Sequence, residues 1–82
     1  MALQVLLLKN ETVLIADVEE VGSEIGEPDC KLTNPYKVDG DMSLTPWPPF
    51  TDQNVIMMSS DSILTIVQPS VKLEGVYSAE VQ

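Results

Sequence analysis

The sequence predicts an all-β domain: a small, strongly bent antiparallel sheet or barrel of five strands. Three observations predict it. Short runs rich in Val, Ile, Leu and Thr are separated by clusters of Gly, Pro, Asn, Asp and Ser. Three of these runs precede a long proline-bearing loop and two follow it, an order that suits a small curved sheet. The last two, Val55 to Met58 and Ile63 to Val67, flank Ser59-Ser60-Asp61-Ser62 and read as a tight β-hairpin within residues 54–67. Both are apolar at nearly every position. Successive residues of a strand face opposite sides, so such strands need cover on both. A chain of 82 residues has little with which to cover them twice, and a neighbouring copy is the natural second cover.

The elements follow in order. Leu3 to Leu8 is an apolar run of strand type, and Lys9-Asn10-Glu11 is a turn in which Asn10 suits a left-handed conformation. Thr12 to Glu20 is a second strand, pairing with the first. Leu14, Ala16 and Val18 mark one of its faces, and Val13 and Ile15 the other. Val21 to Asp29 holds Gly22, Gly26 and Pro28 and reads as a loop. Cys30 to Val38 is a third strand. Pro35 lies inside it and donates no ladder hydrogen bond, so it should mark a bulge, a bend or an edge. Asp39 to Gln53, with Pro46, Pro48 and Pro49, is a long irregular loop. Beyond residue 67, Ser70 to Val81 reads either as a short helix, with Val71, Leu73, Val76 and Tyr77 on one stripe, or as an extended arm, because Gly75 weakens a helix.

Length allows one domain over 1–82, with no internal repeat. Cys30 is the only cysteine, so no intrachain disulfide forms, and it reads as a small buried hydrophobe. The absence of paired cysteines and zinc spacings points to a reducing, cytoplasmic setting. Leu3 to Leu8 is too short for a secretory leader and lacks a basic start, and no apolar run approaches a membrane span.

Thirteen acids face four lysines (Lys9, Lys31, Lys37, Lys72), giving a formal charge of −9 with no arginine and no histidine. Binding a nucleic-acid backbone needs clustered cations, and this chain's field repels a polyanion. The acids Asp17, Glu19, Glu20, Glu24, Glu27 and Asp29 lie close in sequence but lack the spacing and glycine of a calcium loop. Met42, Met57 and Met58 read as core fillers rather than a soft-metal site. Catalysis finds no support: there is no histidine, Ser59, Ser60 and Ser62 have only Asp61 nearby, and no phosphate-binding glycine loop is present. No cofactor, metal or catalytic residue is expected.

The segment Val5-Leu6-Leu7-Leu8-Lys9-Asn10-Glu11-Thr12-Val13, then Ala16 and Leu32-Thr33-Asn34-Pro35-Tyr36-Lys37-Val38, resembles the first block of the Sm-like (LSm) family. Met57-Met58-Ser59-Ser60-Asp61-Ser62-Ile63-Leu64-Thr65-Ile66 resembles the second. The first block lies within 3–38, the variable loop is 39–53, the second block lies within 54–67 and the tail is 68–82. The cadence, including Leu-x-Asn-Pro-Tyr, is also similar to small Sm-like proteins of tailed marine phages.

The resemblance implies a ring in which the fourth strand of one subunit pairs with the fifth of the next, with Val55, Met57, Leu64 and Ile66 at the contact. It also implies a base pocket at Asp29, Ser59, Ser60 and Asp61. At these positions, however, a carboxylate and serines stand where RNA-binding members carry an amide and an Arg-Gly; the carboxylate repels phosphate, and the serines offer no cation or guanidinium plane. Ala16 stands where such proteins bend at a glycine.

Trp47 and Phe50 lie among prolines that make a segment cheap to order on a protein partner, or they fold back over the core. Three classes of function are therefore compared. The first is a non-enzymatic, self-assembling interaction module. The second is an RNA-binding ring with an altered pocket, and the third is an acidic mimic of nucleic acid.

Overall fold

The computed structural model of the chain describes residues 2–22, 24, 25, 27–49 and 51–81. Six strands, β1 (Ala2–Leu8), β2 (Val13–Glu20), β3 (Cys30–Val38), β4 (Leu44–Pro46), β5 (Val55–Met58) and β6 (Ile63–Val67), precede one helix, α1 (Val71–Glu80). All strand pairings are antiparallel. The sheet runs β4-β3-β2-β1-β6, and β5 also pairs with β3. No helix among the described residues is long and apolar enough to cross a membrane.

The expected fourth and fifth strands are thus β5 and β6, but they do not form a hairpin with each other. β5 pairs with β3 and β6 with β1, at opposite edges of one sheet. A flat sheet would hold these edges roughly 19 Å apart, at about 4.8 Å per strand spacing. Their connection is Ser59 followed by a 3-10 turn over Ser60–Ser62, and such a turn advances only about 2 Å per residue. The sheet must therefore curl to bring its edges together. It remains open, not a closed barrel, because no ladder joins β5 to β6.

Curling creates a concave face. Leu6 and Leu8 of β1, Leu14, Ala16 and Val18 of β2, Leu32 of β3 and Met58 of β5 are buried there, with Ile56, Ile63 and Trp47 packed against them. Alternation sends Leu3, Val5 and Ile15 to the other face, where α1 lays down Leu73 and Tyr77. The two central strands are in this way covered on both sides by the chain's own elements. The two-face reading of β2 holds. Of the expected helical stripe, Leu73 and Tyr77 are buried and Val76 half-buried, but Val71 is 89% exposed. Val71 is two residues from Leu73, about 200° around the helix, and so points away. Ser70 caps the helix, its Oγ accepting from the Leu73 N–H at 3.1 Å.

Pro35 does mark a bulge. Ile15 faces Tyr36 and Asp17 faces Thr33, so Asn34 and Pro35 together oppose Ala16. Asn34 takes φ 51°, the left-handed conformation that an asparagine tolerates. The bulge bends β3 between its two halves, and β5 pairs with the first and β4 with the second. It also supplies an anchor: the Tyr77 hydroxyl donates to the Asn34 carbonyl at 3.0 Å, and the Tyr77 ring meets Tyr36 edge-on at 5.9 Å.

Several local expectations change. The first turn puts Glu11, not Asn10, in the left-handed region (φ 70°). Asn10 instead closes the turn with its side chain, its Oδ1 accepting from the Thr12 N–H at 3.1 Å. The 39–53 segment is not wholly irregular, because β4 forms within it. Its three residues ending in proline are too few to show a strand period. Among the described methionines only Met58 is buried; Met42 is half-buried and Met57 faces outward. Cys30 is buried, as expected, and burial, helped by Asp29 and Glu20, pushes its thiol above the ordinary value.

Leu73→Ala is expected to cost about 2–4 kcal/mol and to abolish amide-exchange protection across Val71–Glu80 before that of β1 and β2. Asn34→Gly is expected to be close to neutral, whereas Asn34→Ala costs about 1 kcal/mol. Chemical denaturation of both variants checks the second pair.

Candidate functional site

The chemistry of this chain lies at its edges. β5 and β6 each have one paired side and one side that meets no other strand among the described residues. Natural edges are commonly blunted by lysine, proline or a covering element. β5 (Val-Ile-Met-Met) and β6 (Ile-Leu-Thr-Ile-Val) carry neither lysine nor proline. At the start of β5 the Gln53 side-chain amide donates to the Val55 carbonyl at 2.6 Å.

Register decides which side chains these edges present. Ile56 and Met58 lie opposite Leu32 and Cys30 on the concave face, so Val55 and Met57 point to the outer face. On β6, Ile66 lies opposite Leu6 at the rim of the concave face, and Val67 lies opposite Val5 on the helix-covered face. Leu64 belongs to neither set: Ile63 faces Leu8 and Thr65 faces Leu7, leaving Leu64 as the extra residue of a bulge. The structure leaves all four predicted contact residues accessible: Val55 38%, Met57 47%, Leu64 60% and Ile66 38%. Val67, which sequence reasoning left out, is 51% exposed. Its signal was present in the unbroken apolar run 63–67.

The structure also brings together Asp29, Ser59, Ser60 and Asp61. They line a recess of about 290 Å³ between the β2–β3 loop and the β5–β6 connection, with Glu24, Ile25 and Glu27. Asp29 uses both carboxylate oxygens on Ser60: Oδ1 accepts from the backbone N–H at 2.7 Å and Oδ2 from the hydroxyl at 2.7 Å. The Ser60 hydroxyl, then its N–H, holds the Asp29 carboxyl below its ordinary value. Ser59 Oγ accepts from the Asp61 N–H at 3.3 Å. On the far side, the Lys9 N–H donates to the Ser62 carbonyl at 2.9 Å. The polar groups of the recess thus clasp the connection in place. Four carboxylates around it and no cation among its lining residues make it a poor seat for phosphate.

Trp47 is half-buried and packs against the concave core. Its backbone N–H donates to the Pro35 carbonyl at 3.1 Å, which extends the β3–β4 pairing by one residue. Phe50, its predicted companion, lies outside the described residues. Among the described residues no cluster of three or more His, Cys, Asp or Glu is arranged to hold a metal ion.

Sequence reasoning also gave no role to Asp17, which falls on the helix-covered face of β2 between apolar neighbours. Its signal was the alternation Val13, Ile15, Asp17, which places a carboxylate where the pattern calls for an apolar residue.

Fold and site together define a small curled β-sheet protein with one helix-covered face and two uncapped apolar edges. The chain belongs to the family of unknown function DUF6561, whose model matches residues 1–82. No curated protein matches it.

The clasp makes a pH prediction. The folded Asp29 value lies below the ordinary 3.8. Its contribution is therefore complete above the unfolded value and is lost as pH falls through the folded value. The stability difference between wild type and Asp29→Asn should be full at neutral pH and should shrink in acid below the ordinary carboxylate range. Urea midpoints at paired pH values measure it.

Proposed function

We propose that the chain is a non-enzymatic, Sm-like interaction module that assembles head to tail, β5 of one copy pairing with β6 of the next. The observation that carries this reading is the exposure of apolar side chains on two uncapped strands at opposite edges of one sheet. Pairing the two edges satisfies their open backbone groups and covers Val55, Met57, Leu64, Ile66 and Val67 in a single step.

Magnitudes favour a closed ring over a pair. Completing the burial of four or five half-exposed apolar side chains contributes roughly 3–6 kcal/mol, whereas association costs about 4–15 kcal/mol in lost freedom. A single contact is marginal, and a pair leaves one sticky edge at each end. A contact that uses different surfaces on the two copies closes into a ring when the rotation permits, and each subunit is then held twice. The contact strands carry no charge, so salt screens repulsion between subunits of charge −9 without weakening the contact.

An intracellular setting fits the single buried cysteine. An RNA-binding reading draws no support from the recess at Asp29 and Ser59 to Asp61, where carboxylates predominate.

Light scattering should report one oligomeric species that persists in high salt. Ile66→Asp and Val55→Asp should each give monomers, because each spoils one edge. Mixing the two leaves one good pair of edges, so it should give at most a weak 1:1 pair that forms only at high concentration, and no larger species. Wild type that elutes as a monomer at micromolar concentration, or an Ile66→Asp variant with unchanged mass, rules the contact out. Oligouridine and oligoadenine should show no measurable binding at low salt.

A further inference from the structure

The helix-covered face carries one group that packing does not explain. Across the three central strands, Val5, Ile15 and Tyr36 form a row that Leu73 and Tyr77 seal. The next row is Leu3, Asp17 and Thr33. Its middle member is a carboxylate on the central strand of the sheet. Asp17 Oδ1 is buried and has no hydrogen-bond partner among the described residues. A buried carboxylate oxygen without a donor costs free energy that an apolar residue at the same position would not.

Above this row α1 overhangs instead of closing down. Glu74, Tyr77, Ser78 and Val81 recur at helical spacing and form the roof of a cleft of about 390 Å³ whose floor holds Asp17. The volume lies at the low end of the roughly 300–1,000 Å³ range of small-molecule sites. Asp17 and Glu74 make it negative, and no lysine lines it. The ion pair found among the described residues, Lys37 to Asp39 at 3.9 Å, lies elsewhere. Leu3, Val81 and the Tyr77 ring supply apolar wall. The Tyr77 hydroxyl spends its proton on the Asn34 carbonyl and so offers the cleft an acceptor oxygen.

We propose that this cleft binds a small organic cation, an ammonium or guanidinium group on a short alkyl stem, with the cation on Asp17 and the stem along Leu3 and Val81. Anions are excluded by the two carboxylates. A calcium-type ion needs about six to eight oxygen ligands, more than the carboxylates here supply. A cation with N–H donors gives the Asp17 carboxylate a partner once the group turns its Oδ1 toward the cleft, and its stem uses the apolar wall. Burial, then Asp17, then Tyr36 hold the Tyr77 hydroxyl above its ordinary value. A cation seated at Asp17 offsets that effect.

The test is an amide-shift titration of the full chain with butylammonium and butylguanidinium, with 1-butanol and sodium chloride as controls. Saturable shifts are expected at Leu3, Asp17, Thr33 and Ser78 with both cations at neutral pH, and the Tyr77 titration should move down on saturation with butylguanidinium, which keeps its charge in that range. Asp17→Asn preserves shape and should weaken binding tenfold or more; Glu74→Gln, at an exposed position, should weaken it less. A blocked Gly-Lys-Gly peptide that binds more tightly than butylammonium assigns the site to a partner's lysine side chain, and one that binds no better assigns it to a free amine. The proposal is overturned by the absence of saturable shifts, by equal affinity for 1-butanol, or by undiminished binding in Asp17→Asn.

Discussion

Four residues, Ser59 to Ser62, carry the chain from one edge of the sheet to the other, and the rest of the architecture answers to that short crossing. Asp29 grips the crossing from the start of β3, and the Lys9 N–H grips it from the end of β1. With both ends fixed, the sheet cannot lie flat. Its curvature gathers side chains from five strands into one concave core. The bulge at Asn34 and Pro35 lets β3 follow that curvature while pairing with three neighbours. The polar turn and the apolar core are thus parts of one constraint.

The same crossing explains why greasy strands stand at the margin. β1 and β2 are sheathed on one side by the concave core and on the other by α1, so most of their apolar residues are used within the subunit. β5 and β6 add nothing to the helix-covered cluster; β5 buries Met58 and half-buries Ile56, and β6 half-buries only Ile63. A chain of this size has one helix to spend, and it lies over the centre. The outward residues of both edges are left for another surface.

The legible part of the fold was that set by period and punctuation. The β1–β2 hairpin, the faces of β2, the extent of β3 and the disruptive role of Pro35 follow from alternation and turn chemistry. The partnership of β5 and β6 was not legible. Two apolar runs around four polar residues read alike whether the strands fold onto each other or diverge to opposite edges, and the choice rests on Asp29, thirty-one residues before Ser60. β4 was hidden because three residues carry no period. At the candidate site, Val55, Met57, Leu64 and Ile66 were readable because no alternation singled out one buried face. The recess residues do lie together, but their hydrogen bonds turn inward and serve the fold. Asp17 was visible as an anomaly in β2, yet its meaning depends on where the helix comes to rest.

Cys30 adds a consequence of another kind. It sits on β3 directly opposite Met58, buried, with a thiol that resists ionisation. A thiol-reactive probe reaches its sulfur only while the edge strand is detached, so the labelling rate acts as a clock for fraying at that margin. The chain carries this one sulfhydryl and needs no engineered reporter. Anything that clamps the margin, including a neighbouring molecule, slows the clock.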